Sequence, residues 1–168
     1  RIMFGGSVFQ LRWDGQNIIS NTTAVGWGFS FSGREYFGRS KHFVYWMTSY
    51  GQGWGSQIVS TIGTGSSAVL TPDGKLETMP AWNLGGGFAF NITHTLTTNL
   101  NLTWYSIDPS PYREGKKMKS GESAHINLIW SPYKNVNTGI EFMYLRRTNT
   151  DDTSGIGRRL QLMVKYIF

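Results

Sequence analysis

Apolar side chains recur at every second residue through most of this chain, and that alternation commits it to β-strands with two chemically different faces. From Arg159 to Phe168 the even positions are Leu160, Leu162, Val164, Tyr166 and Phe168, while Arg159, Gln161, Met163, Lys165 and Ile167 hold the odd ones. A helix would scatter those five apolar residues around its circumference. Upstream, Val136, Ile140, Phe142 and Tyr144 oppose Asn137, Gly139, Glu141 and Arg147, and Ala124, Ile126, Leu128 and Trp130 oppose His125 and Asn127. Leu100, Leu102 and Trp104 alternate with Asn99, Asn101 and Thr103, and Trp82, Leu84, Phe88, Phe90 and Ile92 with Asn83, Gly85, Gly87, Ala89 and Asn91. Val25, Trp27, Phe29 and Phe31 alternate with Gly26, Gly28, Ser30 and Ser32. Lys41 to Tyr50 is apolar on both faces, and Ile2 to Trp13 changes phase near Val8 and Phe9, which predicts a bulge. The segments together make eight strands.

Turn and loop lengths carry a second signal. Gly38-Arg39-Ser40, Thr95 to Thr98 and Tyr133-Lys134-Asn135 read as short turns. Between them, Gly15 to Thr23, Gly51 to Thr78, Ser106 to Gly121 and Asn149 to Gly157 read as long polar loops. Strict alternation of short and long connections, with an even strand count, is the pattern of bacterial outer-membrane barrels, whose short turns are periplasmic. Composition agrees. The 168 residues are 15% aromatic and only 15% charged, against roughly 25% charged in soluble domains, and no apolar run approaches the roughly 20 residues of a membrane-spanning helix. The absence of cysteine excludes a disulfide scaffold and decides nothing about compartment. The expected fold is therefore all-β, a transmembrane antiparallel β-barrel in the bacterial outer membrane, with residues 1–168 forming one barrel segment and no separate domain. Two aromatic belts are expected. Trp13, Trp27, Trp82, Trp104 and Tyr144 would mark the outer interface, and Tyr36, Phe43, Phe90, Trp130, Tyr166 and Phe168 the inner one.

If the apolar parity meets lipid, the other parity lines a lumen. That wall would carry Arg12, Arg34, Arg147, Arg159 and Lys165, with Glu141 as its clearest acid. A basic wall concentrates small anions. Local neutralisation is the bland alternative, for example Glu141 pairing with Lys165. Arg113, Lys116 and Lys117 lie near Pro109, Pro111 and Gly115 in a stretch that reads as a solvated loop, and they join the pore only if that loop folds toward its mouth. The formal net charge of +6 does not indicate nucleic acid, because the basic residues are scattered. No Ser-His-Asp arrangement and no metal-ligand spacing appears, so no catalytic residue, metal or cofactor is expected. Gly51-Gln52-Gly53-Trp54-Gly55 and Gly63-Thr64-Gly65 lack the helix and lysine of a phosphate loop. The Asn-x-Thr triplets at Asn21, Asn91 and Asn101 are idle in a bacterial setting.

The terminal strand, closing on Tyr166 and Phe168, looks like the carboxy-terminal signal by which outer-membrane proteins engage the barrel assembly machinery. Ser123-Ala124-His125-Ile126-Asn127-Leu128-Ile129-Trp130-Ser131-Pro132, Gly139-Ile140-Glu141 with Tyr144, and Arg159-Leu160-Gln161 with Lys165-Tyr166 and Phe168 resemble the end of the DcaP-like trimeric porins. Weaker echoes are Trp27-Gly28-Phe29 with Ser32-Gly33, Tyr50-Gly51, and Leu76-Glu77-Thr78 with Pro80. The resemblance implies a sixteen-stranded homotrimer, in contact with outer-membrane lipid and lipopolysaccharide, that takes up small anions such as dicarboxylates. It makes this chain the last eight strands. The opening Arg1-Ile2-Met3-Phe4-Gly5-Gly6 fits, since it reads as strand interior with no leader peptide.

Two architectures compete at this point. Eight strands could close as a small barrel whose interior is filled by side chains, leaving a loop-mediated binding or structural role. Alternatively they form half of a wider pore. Gly26, Gly28, Ser30, Ser32, Gly85, Gly87 and Ala89 would fill a narrow barrel poorly and favour the wider one. The expected function is passive, non-enzymatic passage of small anionic solutes through an outer-membrane channel.

Overall fold

A computed structural model describes residues 1–15, 21–39, 42–58, 64–113 and 115–168. Among the described residues ten strands run in chain order: β1 Ile2–Trp13, β2 Thr22–Phe37, β3 His42–Gln52, β4 Ala68–Leu70, β5 Leu76–Thr78, β6 Pro80–Asn91, β7 Leu96–Ile107, β8 Met118–Tyr133, β9 Val136–Asn149 and β10 Ser154–Tyr166. Eight of them form one antiparallel sheet in the order β1-β2-β3-β6-β7-β8-β9-β10, with β1 and β10 at its edges. The fold is all-β and antiparallel, as the alternation requires. Lys41, Ser40 and Gly63, which belong to segments discussed above, lie outside the described residues, as do 16–20 of the first long connection.

The ladders fix which residues share a face. Leu160, Leu162 and Tyr166 of β10 stand opposite Phe142, Ile140 and Val136 of β9. Ile126 and Leu128 continue that face on β8, Leu100 on β7, Phe88 on β6, Val44 on β3 and Phe31 on β2. Most of these side chains are exposed, Leu162 by 74% and Leu160 by 65%, while Leu100 and Val136 are half-buried. So wide an apolar surface turned outward requires a lipid or protein neighbour. The opposite face carries Asn83, Asn99, Asn101, His125, Asn127, Glu141 and Gln161, and it is also where the buried cluster lies.

Three expectations are corrected by the register. β1 pairs with β2 without interruption from Ile2↔Gly33 to Trp13↔Thr22, so there is no bulge near Val8. Ile2, Phe4 and Val8 stay on the apolar face, while Phe9, Leu11 and Trp13 are on the other. The phase change arises because the polar face is itself covered here: Phe9 packs against Trp54. Trp13, Tyr36 and Phe43 therefore leave the outward belts. Finally, β9 and β10 are joined by only residues 150–153, where the sequence suggested a long loop. Thr148 and Arg147 pair with Ser154 and Gly155, and Asp152 closes the turn at φ 58°.

The connection between β3 and β6 is not a free loop. It holds a 3-10 turn, Trp54–Gln57, and the β4–β5 hairpin. Trp54, Ile58 and Met79 bury themselves against Ala81, Tyr105, Ile107 and Met118, and of the large side chains Met79 and Ile107 are fully enclosed. The segment thus lies over the polar face from β1 to β8.

Candidate functional site

The polar face, on which the 53–79 insert lies, carries Arg34, Glu141, Arg147, Arg159 and Lys165. Gly53, at φ 70°, turns the chain inward, and Gly28 opposite supplies the space, since a Cβ there would lie 2.1 Å from the Trp54 ring. Gly26 likewise makes room for Phe9. The small residues of β2 are the floor on which aromatic rings rest.

Arg113 ties the insert to a second connection. Its guanidinium donates to the Met118 carbonyl at 2.9 Å, to Ser66 Oγ at 3.1 Å and to the Thr64 carbonyl at 3.3 Å, while its Nε is buried with no hydrogen-bond partner. Burial, reinforced by the nearby charge of Arg147, pushes its pKa below the ordinary arginine value. The expectation of a solvated loop cation is overturned for Arg113, which is 7% exposed. Lys116 is held by Asp151 at 3.1 Å, and Lys119 by Asp152 at 3.0 Å. Lys117 fastens the same junction through its backbone, its carbonyl accepting from Thr150 N–H at 2.9 Å. The charge run is thus a clasp between the 108–117 and 150–153 connections.

The remaining cations divide by register. Arg147 is on the polar face, opposite Gly121 and Gly155, with its Nε donating to Asn149 Oδ1 at 2.7 Å. Arg159 and Lys165 are on that face too, exposed, opposite Met143 and Asn137. Arg34 lies at the sheet end away from the insert, 4.7 Å above the Phe43 ring and 3.3 Å from Tyr36 Oη. Arg12 does not belong with them. It faces Thr23 on the parity of Val25 and Trp27, at the strand end, where it pairs with Asp14 at 2.6 Å. The unbroken register of β1 is the physical reason.

Glu141 is part of a polar row that runs across three strands. Asn99 Nδ2 donates to Asn127 Oδ1 at 2.7 Å, Asn127 Nδ2 donates to Glu141 Oε2 at 3.3 Å, and His125 Nδ1 lies 3.9 Å from Glu141 Oε1. Lys165 is opposite Asn137, so the Glu141–Lys165 pair does not form. The parity of Asn99, His125 and Asn127 was visible in the sequence; their alignment with Glu141 required the register. Tyr166 and Phe168 stack edge to face at 5.0 Å, exposed at the end of β10. No group of three metal-ligating side chains occurs among the described residues.

Comparison with solved structures bears on this arrangement. The outer membrane channel DcaP of Acinetobacter baumannii superposes with a TM-score of 0.75 at 21% identity, over 100% of this chain and 47% of that one. This likeness shows the fold alone: the open antiparallel sheet is similar to part of that channel, and the chain spans about half of its length. The Yersinia pestis outer membrane protein Ail matches over 99% of this chain and 97% of its own, at 16% identity, but its TM-score of 0.34 carries no argument. No protein-family model and no curated protein matches the chain.

Proposed function

We propose that this chain is half of the wall of a sixteen-stranded outer-membrane porin, a homotrimer in the manner of the family it resembles, that passes small anionic solutes without chemistry. The observation that carries the reading is the sorting of one sheet into an exposed apolar face and a polar face covered by a packed insert. An edge strand in hydrocarbon leaves its amides unpaired at several kcal/mol each, so a sheet of this kind must close. An eight-stranded barrel is only wide enough inside for its own side chains. The insert, with Trp54, Ile58 and Met79, needs more room, which favours the wider barrel. Arg34, Arg147, Arg159 and Lys165 outnumber Glu141 on the polar face, and this imbalance supports a preference for anions. In this reading the apolar face meets outer-membrane lipid, and β10 with Tyr166 and Phe168 engages the assembly machinery.

The test is a reversal potential across a planar bilayer holding the full-length protein in a salt gradient. Anion preference is expected, and it should fall in Arg147→Gln/Arg159→Gln. Cation preference in the unmodified protein, or absence of conductance, would overturn the proposal.

A further inference from the structure

The apolar face is not uniformly filled. Gly86 of β6 and Ala124 of β8 leave a groove of about 470 Å³ between Leu84, Leu102, Trp104 and Tyr144. The next residues along β6, β8 and β9, Phe88, Ile126 and Phe142, are large and close it toward the middle of the sheet. Its other end is charged. Glu122 lines it there and pairs with Arg146 at 3.6 Å, and Arg158 stands directly opposite Tyr144 on β10. Arg146 and Arg158 share the apolar parity, and Arg158 is exposed, its side chain making no hydrogen bond or ion pair among the described residues.

Height explains how an arginine can sit on such a face. From Tyr166 to Arg158 is eight residues, about 27 Å along the strand at ~3.4 Å per residue. With a tilt of about 40° this is about 20 Å of a hydrocarbon band roughly 25 Å tall. Tyr166 at one interface therefore brings Arg158 to the other, where the cost of a cation falls toward zero. A cation at headgroup level, beside an apolar groove that runs toward the membrane centre, matches a molecule with a negative head and a hydrocarbon tail.

We propose that this groove is a lipid site that seats one acyl chain of a phosphate-bearing lipid, with the phosphate on Arg158 and Arg146. Trp104 and Tyr144 flank the chain at the level where ring N–H and O–H groups meet the interface. Glu122 holds Arg146 over the groove mouth and is neutralised by it, so Arg158 supplies the excess positive charge. The proposal rests on the apolar face being membrane-facing, and the experiment separates the two.

Full-length protein is reconstituted in vesicles carrying brominated acyl chains on either phosphatidic acid or phosphatidylcholine, and quenching of Trp104 is read as the difference between wild type and Trp104→Phe. Trp130, on the same face at the other end of the sheet, reports folding and membrane contact by the same difference with Trp130→Phe. Phosphatidic acid should be preferred at Trp104 by about fivefold per arginine engaged. Arg158→Gln should remove about fivefold of that preference, and Arg158→Lys should restore most of it. Ala124→Leu, which fills the groove, should cut Trp104 quenching and leave Trp130 unchanged. Equal quenching by the two lipids, or a preference indifferent to Arg158→Gln, overturns the lipid site. So does Trp104 shielded from both lipids while Trp130 is quenched, the result of a second copy covering the groove. If neither tryptophan is quenched, the membrane-facing reading fails with it.

Discussion

Gly28 and Arg113 hold the insert from opposite sides, and each does so through a feature that no other residue type supplies. At Gly28 any Cβ meets the Trp54 ring, so Gly28→Val should unseat Trp54 and loosen the insert by about 2 kcal/mol, the usual scale of overpacking. Trp54 fluorescence would shift to the red as its ring leaves the cluster; an unshifted spectrum would contradict the packing described. Arg113 spends its charge on neutral oxygens. Replacing it with Met strands the Met118 carbonyl and Ser66 Oγ and should cost about 3 kcal/mol of insert docking. Limited proteolysis within 53–79 should quicken in Arg113→Met while the strands stay resistant, and uniform susceptibility would refute the latch.

Connections act as paired elements at the end of the sheet that carries the insert. Asp151 accepts from Thr153 Oγ1 at 2.5 Å and from Thr153 N–H at 3.2 Å, and pairs with Lys116. The Thr153 hydrogen bond first, then Lys116, holds its carboxyl below the ordinary aspartate value. A depressed carboxylate contributes stability that is present above its unfolded pKa, about 4, and lost as pH falls through the lower folded value. Amide exchange at 150–153 and 115–117 should therefore accelerate in that acidic window, and Thr153→Val should move the onset to higher pH. Exchange that is flat across the window would count against the clasp. Much of the element scale was legible beforehand. Even-numbered apolar residues from Val136 to Tyr166 assigned β9 and β10 because each strand has one wet face. β1 misled because Phe9 and Leu11 are apolar on the polar face, covered by a segment far along the chain. Arg113 misled for a related reason: a run of cations beside prolines reads as solvated, and nothing local to it reveals Thr64 and Ser66 arriving from the insert.

As a whole molecule, the chain inverts the usual division of a globular protein. Among the described residues the fully enclosed large side chains, Met79 and Ile107, belong to the insert's footing, and the bulk of the Leu, Ile, Val and Phe faces outward. The proposed porin turns this into a conductance prediction. Trp54→Ala removes the largest side chain of the insert from the pore wall, and single-channel conductance should rise; a value equal to wild type would place the insert away from the limiting section. The insert also has a mechanical meaning. It touches β1 through Phe9 and β8 through Met118, while Arg113 pins it beside β8, so it ties together six consecutive strands of the sheet. Strand pairing alone sets neighbour to neighbour, whereas a segment held at both ends also sets the distance between strands that do not pair. The stiffness of those six strands then depends on one short segment that belongs to none of them.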